Sequence, residues 1–332
     1  MIVVTGGAGL IGSWIVWSLN RRGIDDILVV DHIGESEKWK NLRSLRFCDY
    51  MEKDEFISGI HNEAPLPDIR VIFHMGACSS TIQTDGSYLI HNNFEYTKDL
   101  ATYASLRKIR FIYASSAATY GDGARGFKDD ESRMNGLLPL NMYGYSKQLF
   151  DLWAAQRGML SNMVGIKFFN VFGPNENHKG AMRSFVLKGF EQIKKTGSLR
   201  LFKSCREDFK DGEQLRDFVY AGDASDMALF FMDNPQVNGI FNAGTGQARS
   251  WNDLAAAIFK AMAITPRIEY IEMPEDLRDK YQYYTQADIS KIRAAGYAAE
   301  TMSLEDAVDE YIREYLDKDA HLGETGERQL NP

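Results

Sequence analysis

Tyr143 and Lys147 stand four residues apart in NMYGYSK, shortly after Pro139. On a helix this spacing points both side chains from one face. Ser116, in ASSAATYG at the end of a β-rich run, offers a third group. The chemistry that wants such a set is hydride transfer: a phenolate removes the proton of a sugar hydroxyl while a nicotinamide takes the hydride from the same carbon. A free tyrosine titrates near ~10, and bringing it to about 7 needs roughly 4 kcal/mol, within reach of a neighbouring ammonium and a positively charged nicotinamide together. The expectation is therefore a catalytic trio of Ser116, Tyr143 and Lys147 with a lowered tyrosine. Tyrosine and lysine at this spacing are common on amphipathic helices, so the surroundings must carry the argument.

Those surroundings begin at the N-terminus. Gly6, Gly7, Gly9 and Gly12 in TGGAGLIG lie between an apolar run, Ile2 to Thr5, and an amphipathic stretch, Ile11 to Arg22. Glycines there permit a tight turn and let backbone approach a pyrophosphate at a helix N-terminus. Asp31 follows nineteen residues after Gly12, at the end of the run Ile27 to Asp31. A carboxylate in that place can accept both ribose hydroxyls of an adenine dinucleotide, which by itself points to NAD. Against this, His32 is adjacent and Lys38 and Lys40 follow. A lysine folding over the ribose offsets the carboxylate's repulsion of a 2′-phosphate, which points to NADP; solvated surface lysines are the bland alternative.

The elements that must position these groups alternate. β-rich runs at Val71 to Met75, Phe111 to Ser115 and Val164 to Phe169 are separated by helical stretches near 88–107 and 141–157. This pattern predicts an α/β fold, a Rossmann-type doubly wound parallel sheet with helices on both faces. After Gly173-Pro174 the alternation weakens into a helix (182–195), a polar segment (203–216) and a last helix (302–317), which predicts a smaller C-terminal substrate-binding domain. Val219 to Ala224 and Ile240 to Ala243 look like segments returning to the first domain. The expected division is residues 1–170 plus about 217–245 for the cofactor domain, and about 171–216 plus 246–332 for the substrate domain. The polar tail from Lys318 is expected to fray.

With 38 basic and 46 acidic residues the 332-residue chain carries a formal charge of -8, so neither nucleic acid nor an anionic membrane is an expected partner. Its six histidines form no pair at helical ligand spacing, and no metal is expected. Cys48, Cys78 and Cys205 are too few and too scattered for a disulfide framework and suit a reducing compartment. MIVVT has no basic start before its short apolar run, and no apolar run reaches the about 18 residues of a membrane span, so a cytoplasmic protein is expected.

The motifs TGGAGLIG, SSAATYG, YGYSK, FNVFGP, RDFVYAGDA and FNAGTG occur here in the order they take in the extended short-chain dehydrogenase/reductases, and the chain resembles that family over nearly its whole length. More narrowly it is similar to the nucleotide-sugar epimerases acting at C6″ of ADP-heptose, through ILVVD, DYMEK, HMGACSST, the HKG of His178 to Gly180, YTQADI and RAAGY. The resemblance implies a homo-oligomer that tightly holds NADP and inverts C6″ of ADP-D-glycero-D-manno-heptose by transient oxidation and hydride return. It places Gly6, Gly9, Leu10, Ile11, Gly12, Asp31, His32, Lys38, Lys53, Met75, Gly76, Ala77, Cys78, Ser79, Asn92, Lys147, Val171 and Lys179 at the cofactor. It assigns Asn170, Ala181, Lys188, Phe202, Arg216 and Tyr281 to the nucleotide sugar, and makes Lys179 a second base beside Tyr143. Loop lysines are more often solvated charges, but inversion asks that one oxygen be served from two positions, and a second base would meet that need.

Three positions depart from the pattern: Lys167 stands where an arginine usually precedes the FN motif, Ala181 where serine is common, and the segment from Cys205 to Leu215 is longer than usual. Dehydratases of the same superfamily carry an Asp-Glu pair where this chain has Ala117 and Ala118, and two methyl groups cannot shuttle the protons of a water elimination. A UDP-sugar 4-epimerase would share the same redox core. A regulatory protein that merely binds NADP would be expected to have lost part of the Ser-Tyr-Lys set, which is intact here.

Overall fold

The computed structural model describes residues 1–278 and 281–325. Seven strands build its main sheet: β1 (Ile2–Thr5), β2 (Ile27–Asp31), β3 (Asp49–Glu52), β4 (Val71–His74), β5 (Arg110–Ser116), β6 (Met163–Phe168) and, late in the chain, β10 (Gly239–Ala243). The order is β10-β6-β5-β4-β1-β2-β3, every neighbouring pair parallel. This is the doubly wound α/β sheet the alternation predicts. Its helices are α1 (Leu10–Arg21), α2 (Lys53–His61), α3 (Gly86–Leu89), α4 (Tyr96–Arg107), α5 (Met142–Gln156) and α7 (Ala221–Asp233), with α1 packed on α7.

Apart from the edge strand β3, the strands are rich in apolar residues because both faces are covered, and the two-residue period sorts them. Ile2, Val4, Ile27, Val29, Phe73 and Ile112 fall in one buried cluster, while Val3, Leu28, Val30, Ile72, Phe111 and Tyr113 fall in the cluster on the other face.

A third cluster gathers α6 (Phe185–Thr196), β8 (Leu199–Phe202), α8 (Trp251–Ala261) and the helix Leu304–Glu310, and α1 lends it Leu10 and Trp14. Two small sheets accompany it. β7 (Asn170–Phe172) and β11 (Ala248–Ser250) flank β9 (Leu215–Tyr220), and β8 pairs with β12 (Ile268–Ile271). Val219 to Ala224 spans the end of β9, in a small sheet, and the start of α7, on the large one, and Val219 and Ala224 both fall in a buried cluster of the main sheet.

Two local expectations change. The stretch 88–107 is not one regular helix, because a π turn at Ile90–Glu95 joins α3 to α4 and pushes Asn92 and Asn93 out of regular register. The tail does not fray at Lys318: Leu322 is buried, its N–H reaches Asn175 Oδ1 at 3.2 Å, and Glu324 pairs with Arg43. Residues 326–332 of that tail lie outside the described residues. No helix among the described residues is long and apolar enough to cross a membrane.

Candidate active site

A cleft of about 650 Å³ opens at the C-terminal ends of β1, β2, β4 and β5, where ligands of doubly wound sheets bind. The turn from β1 to α1 forms its floor. Gly6 has φ +67°, and a Cβ there would lie 2.5 Å from the Gly76 nitrogen; a Cβ at Gly12 would lie 2.1 Å from the Gly6 oxygen. Only glycine lets this turn, the loop after β4 and α1 come together. No side chain caps α1 and no acid sits in its first turn, so its N-terminal amides are left for an anion. A dinucleotide pyrophosphate fits that cradle.

At the end of β2, Asp31 is buried and already holds three donors. Its Oδ2 accepts from Ala8 N at 2.8 Å, and its Oδ1 from His32 N at 2.7 Å and Lys38 Nζ at 2.6 Å. The carboxylate thus arrives neutralised. Lys40 turns away to Glu37, and Lys53 lies beside Asp54 and the Tyr96 ring.

α5 delivers two groups of the expected trio, Tyr143 and Lys147, and the end of β5 delivers the third, Ser116. Asn141 caps it, accepting from Gly144 N at 2.8 Å, and a Cβ on Gly144 would meet the Ala118 carbonyl at 2.7 Å, so the helix start lies tight against the turn after β5. That contact brings Tyr143 beside Ser116, close enough for the hydroxyl to favour the phenolate. One turn on, Lys147 is 5 % exposed and donates to the Ala114 carbonyl at 2.8 Å.

The expected lowering of the tyrosine counted on the nicotinamide as well as on Lys147, and the protein's own residues show what is left for the cofactor to supply. Burial lowers Lys147 to about 8, against the opposing pull of Asp151. Burial also raises Tyr143 above its ordinary value, and the Ser116 hydroxyl only partly opposes this. The protein's own residues therefore do not lower the phenol, because desolvation outweighs them; the positive nicotinamide has to supply the rest. His74, between the Thr5 and Thr97 hydroxyls at 2.6 and 2.9 Å, is pushed down to about 3 by burial first and Lys147 second, and stays neutral.

Lys179 sits in the 3-10 turn Asn177–Met182 and is half-buried in the cleft, not solvated. Burial lowers it, while Glu176 supports its charge. Glu176 is itself occupied by Ser184 N at 2.6 Å, the Ser184 hydroxyl and the Tyr311 hydroxyl at 3.1 Å. The loop is tied to the cofactor turn: Asn41 Nδ2 bridges the carbonyls of Ala8 and Asn175 at 2.8 and 2.9 Å, and Asn175 Nδ2 reaches Ser13 Oγ at 3.0 Å. His178, beside Asn41, is lowered to about 3 by burial and by Lys38 and Lys179.

Every cofactor residue assigned from the resemblance lines this cleft, as do Ser116, Tyr143, Asn170, Ala181 and Lys188. Gly7 does not line it; a Cβ at Gly7 would meet Val29. Phe202, Arg216 and Tyr281 do not line it either. The Arg216 guanidinium lies 5.0 Å from the centre of the Tyr281 ring and 5.7 Å from Trp251, which touches both groups of residues. Trp251, which lines the cleft with Phe185 and Phe218, packs edge-on against both.

Sequence reading missed Asn93, buried in the π turn, which accepts from Cys78 N and donates to Cys78 O, both at 2.9 Å, and reaches Ser146 Oγ at 3.1 Å. It missed Asn41, Asn175 and Glu176 as well. A buried polar residue is invisible in a linear pattern unless a motif flags it, and of these only Asn175 and Glu176 lie near one, just after FNVFGP.

Residues 2–244 match the family model described as the NAD dependent epimerase/dehydratase family. A relative from Nitratidesulfovibrio vulgaris strain DP4, named ADP-L-glycero-D-manno-heptose-6-epimerase, is 53% identical over 95% of this chain and 98% of its own. A Fusobacterium nucleatum protein of the same name is 47% identical over 96% of this chain and 99% of its own. The crystal structure of the Helicobacter pylori enzyme of that name superposes with a TM-score of 0.78 at 27% identity, covering 94% of each chain. Match, relatives and cleft agree, and the chain belongs to the NAD dependent epimerase/dehydratase family.

Proposed function

We propose that this protein inverts C6″ of ADP-D-glycero-D-manno-heptose, giving the L-glycero-D-manno epimer, with NADP as its resident cofactor. The observation that carries the reading is the meeting in one cleft of two amine or phenol groups from different elements, Tyr143 on α5 and Lys179 on the loop after β7. The names of relatives up to 53% identical support the sugar.

When bound, the nicotinamide supplies the hydride acceptor and, on return, the hydride donor. Tyr143 removes the proton from O6″ as the carbon is oxidised, and Ser116 holds the phenol oxygen in place. The transient ketone turns in the cleft, and Lys179 serves the oxygen in its other orientation. Lys147 orients the cofactor ribose and lends positive charge to the phenol. No net redox change results. Ala117 and Ala118, in the turn after β5, offer no acid for expelling water, so the reaction ends at epimerisation.

The choice of NADP rests on Asp31 and Lys38. With the carboxylate held by two backbone amides and an ammonium, its charge no longer repels a 2′-phosphate, and Lys38 is placed to pair with one. The adenosine diphosphate end of the sugar is assigned to Arg216 and Tyr281, with Phe202 and Lys188; Asn170 and Ala181 are assigned to the sugar.

The deciding experiment is mass spectrometry of the ligand carried by the purified protein, followed by incubation with ADP-heptose. Recovery of NADP and a new heptose diastereomer is the expected result. Recovery of NAD would overturn the cofactor, and conversion of a UDP-sugar instead would overturn the substrate.

A further inference from the structure

Three successive turns of α5 engage three consecutive residues at the end of β5. Tyr143 lies beside Ser116, Lys147 donates to the Ala114 carbonyl at 2.8 Å, and Asp151 accepts from Ser115 Oγ at 2.7 Å. Lys147 and Asp151 are four residues apart, the spacing at which opposite charges on a helix pair. They do not pair here. Asp151 instead holds Lys167 of β6 at 2.7 Å, because the parallel register sets Lys167 beside Ser115.

The site is closed on every side. Lys167 is 1 % and Asp151 0 % exposed; Lys167 also donates to Thr119 Oγ1 at 2.7 Å, and Tyr113 donates to the other carboxylate oxygen at 2.9 Å. Burying two charges costs about as much as their attraction returns, and an apolar pair of the same volume would serve the core as well. Stability therefore does not explain the pair, but its place behind Lys147 does.

We propose that Lys167 is a positioning residue: it occupies the Asp151 carboxylate, which would otherwise draw the Lys147 ammonium one helical turn away from Tyr143 and the cofactor. Held by Lys167, Asp151 supports the charge on Lys147 at a distance without capturing it. The titratable groups facing Lys147 are Tyr143 and Asp151 from α5, Cys78 from the loop after β4 and His74 from β4; those around Asp151 are Tyr113, Tyr120 and Lys167. Of these, Lys167 is the one cation free to satisfy Asp151 in place of Lys147. The inference rests on the assignment of Lys147 to the catalytic trio.

The test removes the charge but keeps a donor, in Lys167→Gln, and then removes the attraction too, in Lys167→Gln combined with Asp151→Asn. The Lys147 titration midpoint is read by NMR of 13C-labelled lysine in the cofactor-loaded protein, assigned with Lys147→Arg, beside turnover. In Lys167→Gln the ammonium is captured: its midpoint rises by about one unit or more, and turnover falls at least about tenfold with KM little changed. In the double variant the midpoint drops below the parent's and turnover recovers above that of the single variant. A purely structural pair would also let the double variant recover, since Asp151→Asn removes the buried charge left unpaired, but it would leave the Lys147 midpoint in Lys167→Gln at the parent's value. An unchanged midpoint in Lys167→Gln, or no recovery in the double variant, overturns the proposal. Should Lys167→Gln not fold, the double variant decides by its midpoint, and a value at or above the parent's overturns it. The midpoint needs no substrate, so a parent inactive on ADP-heptose would count against the proposed reaction and not against this role.

Discussion

Lys38 Nζ lies 2.6 Å from Asp31 Oδ1, so the acid that ends β2 faces the cleft already paired with a cation. A charge-assisted contact of such a lysine with a 2′-phosphate contributes about 1.5–3 kcal/mol. Lys38→Ala should therefore weaken NADP binding roughly 10- to 100-fold and leave NAD binding nearly unchanged, measured by calorimetry on cofactor-stripped protein. Equal loss of both cofactors would remove the phosphate assignment.

Tyr143→Phe should lower turnover by at least ~100-fold while the dinucleotide stays bound, the scale of losing a positioned acid or base. Lys179→Ala should be impaired to a similar degree, again with cofactor retained. Near-parental epimerisation by either variant takes that residue out of the mechanism.

The alkaline limb of kcat/KM should fall near the value of about 8 set by burial of Lys147, because its ammonium is lost as pH rises. Stability should move the other way. A lysine lowered in the folded state binds fewer protons there than in the unfolded chain between about 8 and its ordinary 10.5, so this group makes folding more favourable as pH rises through that window. Urea melts of the parent and Lys147→Met at pH 7.5 and 10 check the sign: the parent gains relative to the variant at the higher pH. A relative loss contradicts the assignment.

Epimerisation in heavy water should give product without deuterium at C6″, and substrate labelled there should keep its label, since the hydrogen travels as hydride. Solvent deuterium at C6″, seen by mass spectrometry, would mean deprotonation beside a carbonyl or elimination and re-addition of water, and the hydride-return path would have to be abandoned.

What the sequence determined on its own is whatever local rules govern. The turn Gly6 to Gly12 must sit between a strand and a helix, Asp31 must end the next strand, and Tyr143 and Lys147 must share a helix face, because these follow from backbone sterics and from periods of two and 3.6 residues. Tertiary structure decided everything that depends on which distant segments touch. Sheet order brings Lys167 of β6 against Asp151 of α5, a fold back to α1 ties the Lys179 loop to the turn after β1 through Asn41 and Asn175, and the cleft-lining Trp251 is brought beside Arg216. The direction of the Tyr143 shift belongs to the same class. A sequence displays the charges near a phenol, but desolvation depends on how closely the packed chain excludes water, and here it outweighs them.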